Sequence, residues 1–167
     1  QEQEGKFFLL WADLDEATHT LDMVQAALSG IIGDADFEIY TSASATEQRQ
    51  KCRILTGLFK PLSGADWMLC QEVLNDKLEA AGITPDRASE RTGQLCYLPN
   101  RGAFYDTRIQ RDGVLFDPLT AWADEITAKR ETLAQKAVKI EVVRKAAMAR
   151  RAALRLSDAP DCIGAFN

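Results

Sequence analysis

Histidine is almost missing from this chain of 167 residues: His19 is the only one. That excludes a paired-histidine metal motif and leaves no spare base for a Ser-His-Asp triad. No GxxxxGK[ST] string occurs, so the sequence holds no P-loop. No apolar run approaches the roughly 20 residues of a membrane-spanning helix, so no membrane partner is expected. Cys52, Cys70, Cys96 and Cys162 lie 18, 26 and 66 residues apart with no CxxC pair, so a zinc site is not expected. Each thiol sits among apolar neighbours and reads as a buried free cysteine of a reducing, cytoplasmic protein. There is no initiator Met and no signal-like start, so Gln1 reads as a trimmed end.

The apolar fraction is 46%, ordinary for a globular chain that buries a real core. The net charge of −5 is unevenly spread. Residues 1–128 carry 11 basic and 21 acidic side chains, a balance of −10; residues 129–155 carry 9 and 2, a balance of +7. An acidic body therefore bears a basic arm. The acidity argues against a general polyanion binder, while the arm remains able to touch phosphates.

Phe7–Ala12 is a short apolar run that suits a strand buried on both faces. The spacing predicts a helix over Thr18–Ile32, capped by Thr18 or Thr20 and ended by Gly33. Phe37–Thr41 alternates and reads as a second strand, and Cys52–Leu58 as a third, antiparallel to it. Pro61 and Ser63 introduce a helix over Ser63–Ala81, closed by Gly82. Leu95–Leu98 reads as a fourth strand, and Phe104–Gln110 with Gly113–Phe116 as a short hairpin. The expected fold class is α+β. Its core is an RRM-like split β-α-β unit in β-α-β-β-α-β order, with extra short strands and the first and third strands central. From Pro118 to about Leu156 there is no glycine and no internal proline, which predicts one long basic helix, broken once near Thr127. The expected organisation is a catalytic-type domain over 1–117, a basic helical extension over 118–157, and the start of a following segment at 158–167. An apolar stretch opening at Cys162 suggests a fragment of a longer protein.

The first strand runs straight into Asp13-Leu14-Asp15. On an extended backbone two residues two apart point to the same face. Converging carboxylates at a buried strand end repel each other and lose hydration, and hard divalent ions such as Mg²⁺ or Mn²⁺ relieve both costs. The plainer alternative is a solvated strand end whose acids favour the start of the next helix. A third acid, Asp86, follows Pro85 and equally suits an ordinary turn. Lys51, Arg53 and Arg101 are candidate phosphate contacts; Arg53 alternates with Cys52 and Ile54 and so faces away from them. Ser42 and Ser44 lie in a loop of small residues able to approach a phosphate closely. Lys136, Lys139, Arg144, Arg150 and Arg151 are the arm residues placed to meet a nucleic-acid backbone.

Taken together, the Asp-x-Asp strand end, Tyr40-Thr41-Ser42-Ala43-Ser44, Lys51-Cys52-Arg53-Ile54-Leu55 with Lys60-Pro61-Leu62, and Asp86 with Gln94-Leu95-Cys96-Tyr97-Leu98-Pro99 resemble a known family. It is the prim-pol domain of the archaeo-eukaryotic primase superfamily, as found in replication proteins of plasmids, phages and integrative elements. The likeness spans Lys6 to Asp117. It implies that Asp13, Asp15 and Asp86 hold two divalent ions, and that these clamp the α-phosphate of an incoming nucleoside triphosphate and activate the attacking 3′-hydroxyl. It implies a single-stranded DNA template, and a helicase domain further along the same chain or in trans. The family's Ser-x-His element has no counterpart here; Arg53 with Ser42 or Ser44 would take its place. The alternative is a non-catalytic RRM-like module that binds single-stranded nucleic acid on exposed aromatics. A haloacid-dehalogenase-like phosphatase would want Thr or Val where Ala17 stands, and a relaxase-type nuclease needs paired histidines.

Overall fold

A computed structural model describes residues 5–15 and 19–157. One compact unit ends at Ile126 and a second begins at Thr127. The first unit is built on a four-stranded antiparallel sheet: β1 (Lys6–Leu14), β2 (Phe37–Thr41), β3 (Cys52–Ser63) and β4 (Thr107–Gln110), in the order β1-β3-β2-β4. Helices α1 (Leu21–Ile32) and α2 (Gly64–Ala80) cover one face. Leu10, Ala12 and Leu14 of β1 meet Ile54 and Cys52 of β3, Ile39 of β2, Val24 and Leu28 of α1, and Cys70 and Leu74 of α2 in one core. The fold is thus α+β, and β3 lies between β1 and β2 as a split β-α-β unit requires.

Three expectations are corrected. Leu95–Leu98 is not a strand: it is irregular backbone with Leu95 and Leu98 exposed. The expected hairpin does not form either: Thr107–Gln110 pairs with β2, and Phe116 instead makes a parallel bridge to Leu58. Consequently β1 is a sheet edge among the described strands rather than a central strand, and the full order of an RRM-like sheet is not completed there. The β3 strand also runs past Leu58 to Ser63. Its pairing with β1 jumps from Leu9↔Gly57 to Phe7↔Leu62, so Pro61 falls in an irregular stretch where its missing N–H removes no regular ladder bond.

The exposed edge of β1 is covered by side chains of α2. Gln71 accepts from the Trp11 amide at 3.2 Å and donates to the Trp11 carbonyl at 2.5 Å. The Trp67 indole donates to the Leu9 carbonyl at 2.9 Å and stacks on Phe7. These bonds satisfy strand groups that would otherwise be orphaned or would template a foreign strand.

The helix ends follow ordinary capping chemistry. Thr20 caps α1, accepting from the Met23 amide, and Gly33 ends it at φ 64°. Thr18 lies outside the described residues. Ser63 caps α2: its hydroxyl accepts from the Asp66 amide and donates to the Asp66 carboxylate. Ser63→Ala is expected to cost about 1 kcal/mol, read as a lower urea midpoint at unchanged slope.

A short helix α3 (Pro118–Ala121) and a long helix α4 (Ala123–Ser157) follow. The break falls at Trp122 rather than near Thr127, because Trp122 and Ile126 are buried in the core of the first unit. Beyond it, α4 persists on Ala, Lys, Arg and Glu, all strong helix formers. Lys136, Lys139, Arg144, Arg150 and Arg151 are all exposed, and Glu141 pairs with Arg144 and Lys145. No described helix is long and apolar enough to cross a membrane.

Candidate functional site

The strand register puts Asp13, Arg53 and Tyr40 side by side on the sheet face opposite α1 and α2, since Asp13 pairs with Arg53 and Arg53 with Tyr40 across the ladder. Arg53 donates through Nε at 3.1 Å and Nη2 at 2.9 Å, both to Oδ2 of Asp13. The pair is mostly buried, with side-chain exposures of 15% and 16%. Oδ1 of Asp13 is buried and has no hydrogen-bond partner among the described residues. An orphaned carboxylate oxygen of this kind is costly and asks for a donor or a cation.

Asp15 lies just past the strand end. Lys51 Nζ pairs with its Oδ1 at 3.3 Å, and Arg49 donates to its carbonyl at 3.3 Å. Asp86 arrives from the far end of α2. Its backbone N–H donates to the Asp13 carbonyl at 2.7 Å, on the outer edge of β1. Its carboxylate caps a 3-10 turn over Arg87–Glu90 by accepting from the Ala88 amide at 2.8 Å. A buried relay fixes that turn to α2: Asn75 donates to Ser89, and Ser89 donates to the Asp86 carbonyl. Arg87 is held by Asp76, Glu79 and Glu90. A cleft of about 350 Å³ opens between Asp15, Thr84, Pro85, Asp86 and Arg87.

The acids feel one another. Burial raises the pKa of Asp13; Arg53 opposes the rise, and the charges of Asp15 and Asp86 add to it. The sign of the linkage follows. A raised carboxyl pKa means that the folded state holds the proton more tightly, so stability present below about pH 4 is lost as pH rises through the folded value. Relative to wild type, Asp13→Asn is therefore expected to gain stability between pH 3.5 and pH 7, as measured by denaturant unfolding at each pH. A constant difference across that range would refute the shift. Burial works against the Arg53 charge, but its bond to Asp13 and the Asp13 charge together with those of Tyr40 and Cys96 raise its pKa, so it stays charged. Burial and the Asp13 charge push the Cys52 thiol up to about 12, so it is a core thiol rather than a nucleophile. Cys52, Cys70 and Cys96 form no disulfide among the described residues; Cys162 lies outside them.

The loop from Ser42 to Lys51 stands on the same side. Ser42 and Ser44 hydroxyls are 3.3 Å apart, the Ser42 amide donates to the Lys51 carbonyl, and Gln50 ties the loop to the start of α1. Arg101 is exposed and lies over the Tyr105 ring, 4.9 Å from its centroid; no described bond ties it to the acids. The fold thus brings together Asp13, Asp15, Asp86, Lys51 and Arg53, with Ser42 and Ser44 near the end of β2. Arg49, Gln71 and Tyr97 were not picked out as site residues on sequence grounds. Gln71 carried a signal: a polar residue on the apolar stripe of α2. Arg49 carried none.

The donor set suits a hard divalent ion, being carboxylates with no thiol or imidazole among them. The orphaned Oδ1 of Asp13 is the best evidence of fit. In the present arrangement, no three acid, thiol or imidazole groups among the described residues stand close enough together to hold an ion. Lys51 and Arg53 supply the countercharge instead. Comparisons with family models, with curated proteins and with solved structures find no match for this chain.

Proposed function

We propose that the chain is a metal-dependent nucleotidyltransferase of the primase-polymerase kind, extending primers on a single-stranded DNA template during replication of a mobile element. The observation that carries this reading is the approach of Asp86, through a backbone bond to Asp13, to the strand end where its charge and that of Asp15 act on Asp13, whose buried Oδ1 lacks a partner among the described residues. Asp13, Asp15 and Asp86 would hold Mg²⁺ or Mn²⁺. A bound divalent ion neutralises phosphate charge and makes an attacking hydroxyl more acidic. Arg53 orients Asp13 by occupying Oδ2 and leaving the buried Oδ1 unpaired among the described residues. Lys51 and Arg49, now on Asp15, are the nearby cations that would meet the triphosphate. The basic stretch of α4 supplies exposed charge for the template backbone.

The test is incorporation of labelled nucleotide on a single-stranded template with Mg²⁺ or Mn²⁺. Activity should vanish on chelation and in Asp15→Ala. Equal incorporation by wild type and Asp15→Ala sinks the proposal.

One observation favours a second reading, a non-catalytic RRM-like module for single-stranded nucleic acid. Arg53 and Lys51 already pair with Asp13 and Asp15, so the charge of those two acids is balanced without an ion. That reading expects DNA binding without Mg²⁺ and with unchanged affinity in Asp15→Ala.

A further inference from the structure

Residues 94–106 approach the outer sheet face beside the acid site, and their backbone is pinned there. Tyr40, a fully buried side chain, donates its hydroxyl to the Tyr97 carbonyl at 2.5 Å. Thr41 donates to the Phe104 carbonyl at 3.2 Å. Gly102 lies so close to Ala43 that a Cβ would stand 2.2 Å from the Ala43 carbonyl oxygen, so no larger residue fits without moving the chain. The Tyr97 ring is held near Arg53, whose guanidinium lies 5.6 Å from the ring centroid. That guanidinium is in turn bonded to Asp13. Ring, cation and carboxylate therefore form a row from solvent to the acid site.

Tyr97 is nevertheless 62% exposed as a residue, and its neighbours Leu95 and Leu98 are exposed as well. A tyrosine whose backbone is anchored, whose ring is backed by a cation and whose surface stays open is a preorganised platform for a flat π-system. A ligand with phosphates for Lys51 and Arg49 and a planar group set apart from them matches this layout. A nucleoside triphosphate is such a ligand.

We propose that Tyr97 stacks on the base of the nucleotide bound at the acid site. This rests on the nucleotidyltransferase reading above and adds the contact that recognises the base rather than the phosphates. Stacking of this kind tolerates every base, so it sets affinity without choosing sequence.

The test compares two ligands that share charge and differ in the base: ATP or dATP, whichever binds wild type more tightly, and inorganic tripolyphosphate. Each is titrated with Mg²⁺ into the 167-residue wild type, Tyr97→Ala and Tyr97→Phe by calorimetry. Tyr97→Ala is expected to weaken the nucleotide on the order of tenfold. The same variant should leave tripolyphosphate within about twofold, as a surface change remote from the phosphates would. Tyr97→Phe should retain wild-type affinity, because the ring does the stacking. Equal weakening of both ligands, no weakening of either, or a Tyr97→Phe loss as large as that of Tyr97→Ala overturns the inference and leaves the acid site standing. A wild-type chain that binds neither ligand overturns the reading on which it rests as well.

Discussion

Asp13→Asn is expected to abolish nucleotide incorporation, by about 10³-fold or more, while the protein stays folded. The substitution keeps the size and planarity of the side chain. Its amide oxygen still accepts from Arg53, so the cross-strand pair on β1 and β3 loses charge but not its hydrogen bonds. What goes is the anionic oxygen that has no partner among the described residues. Losing a metal ligand of this kind removes several kcal/mol of transition-state stabilisation, and about 4 kcal/mol corresponds to the 10³-fold loss. Because burial already disfavours the Asp13 charge, the neutral variant should unfold at a temperature no lower than wild type at pH 7. Asp13→Ala would differ, since it strands a mostly buried guanidinium. Incorporation assays alongside thermal melts of both variants separate the two effects. Wild-type activity in Asp13→Asn would remove the acid cluster from the chemistry.

The parts of this arrangement that could be read from the amino acids are those with strong local signals. Phe7–Ala12, Phe37–Thr41 and the start of β3 are apolar or alternating runs bounded by turn residues, and each is a strand. Arg53 alternates with Cys52 and Ile54, and that alternation by itself puts it on the outer face. Leu95–Leu98 carries a similar apolar pattern yet forms no strand, because the Tyr97 carbonyl is taken by the Tyr40 hydroxyl and Pro99 lacks an N–H to continue a ladder. Thr107–Gln110 holds the sheet position beside β2, and only pairing across the fold decides between the two segments. The approach of Asp86 to Asp13 depends on a backbone bond between residues 73 positions apart and on the Asn75–Ser89 relay. No periodicity encodes either. Spacing alone leaves Asp86 an ordinary turn residue after Pro85, and only the resemblance to prim-pol domains implies a ligand role for it. Lys51 was legible as a cation next to β3, but its pairing with Asp15 arises from how the Ser42–Lys51 loop folds back over the strand end.

Gln71→Leu is expected to destabilise the fold by about 3 kcal/mol, because the loss is electrostatic rather than a matter of packing. Leucine has nearly the volume of glutamine and sits well among Trp67, Cys70 and Leu74 on the buried stripe of α2. It cannot replace the two bonds to the Trp11 backbone. Both Trp11 groups lie on the β1 edge that β3 does not serve, so one buried N–H and one buried C=O are left unpaired, each costing roughly 1–3 kcal/mol. In a chain of this size the melting temperature should fall by about 10 °C. Gln71→Ala should cost more, since it adds a cavity to the same two orphans. The order wild type, Leu, Ala in urea midpoints is the diagnostic. If Leu matched wild type, the edge of β1 would be satisfied by water and the amide clamp would be incidental. The consequence reaches the site as well: β1 carries Asp13 at its far end, and the same outer edge that Gln71 holds at Trp11 receives the Asp86 amide at Asp13. Loosening that edge in Gln71→Leu should therefore weaken Mn²⁺ binding at the acid cluster below the melting temperature, a readout that a purely global loss of stability would not move.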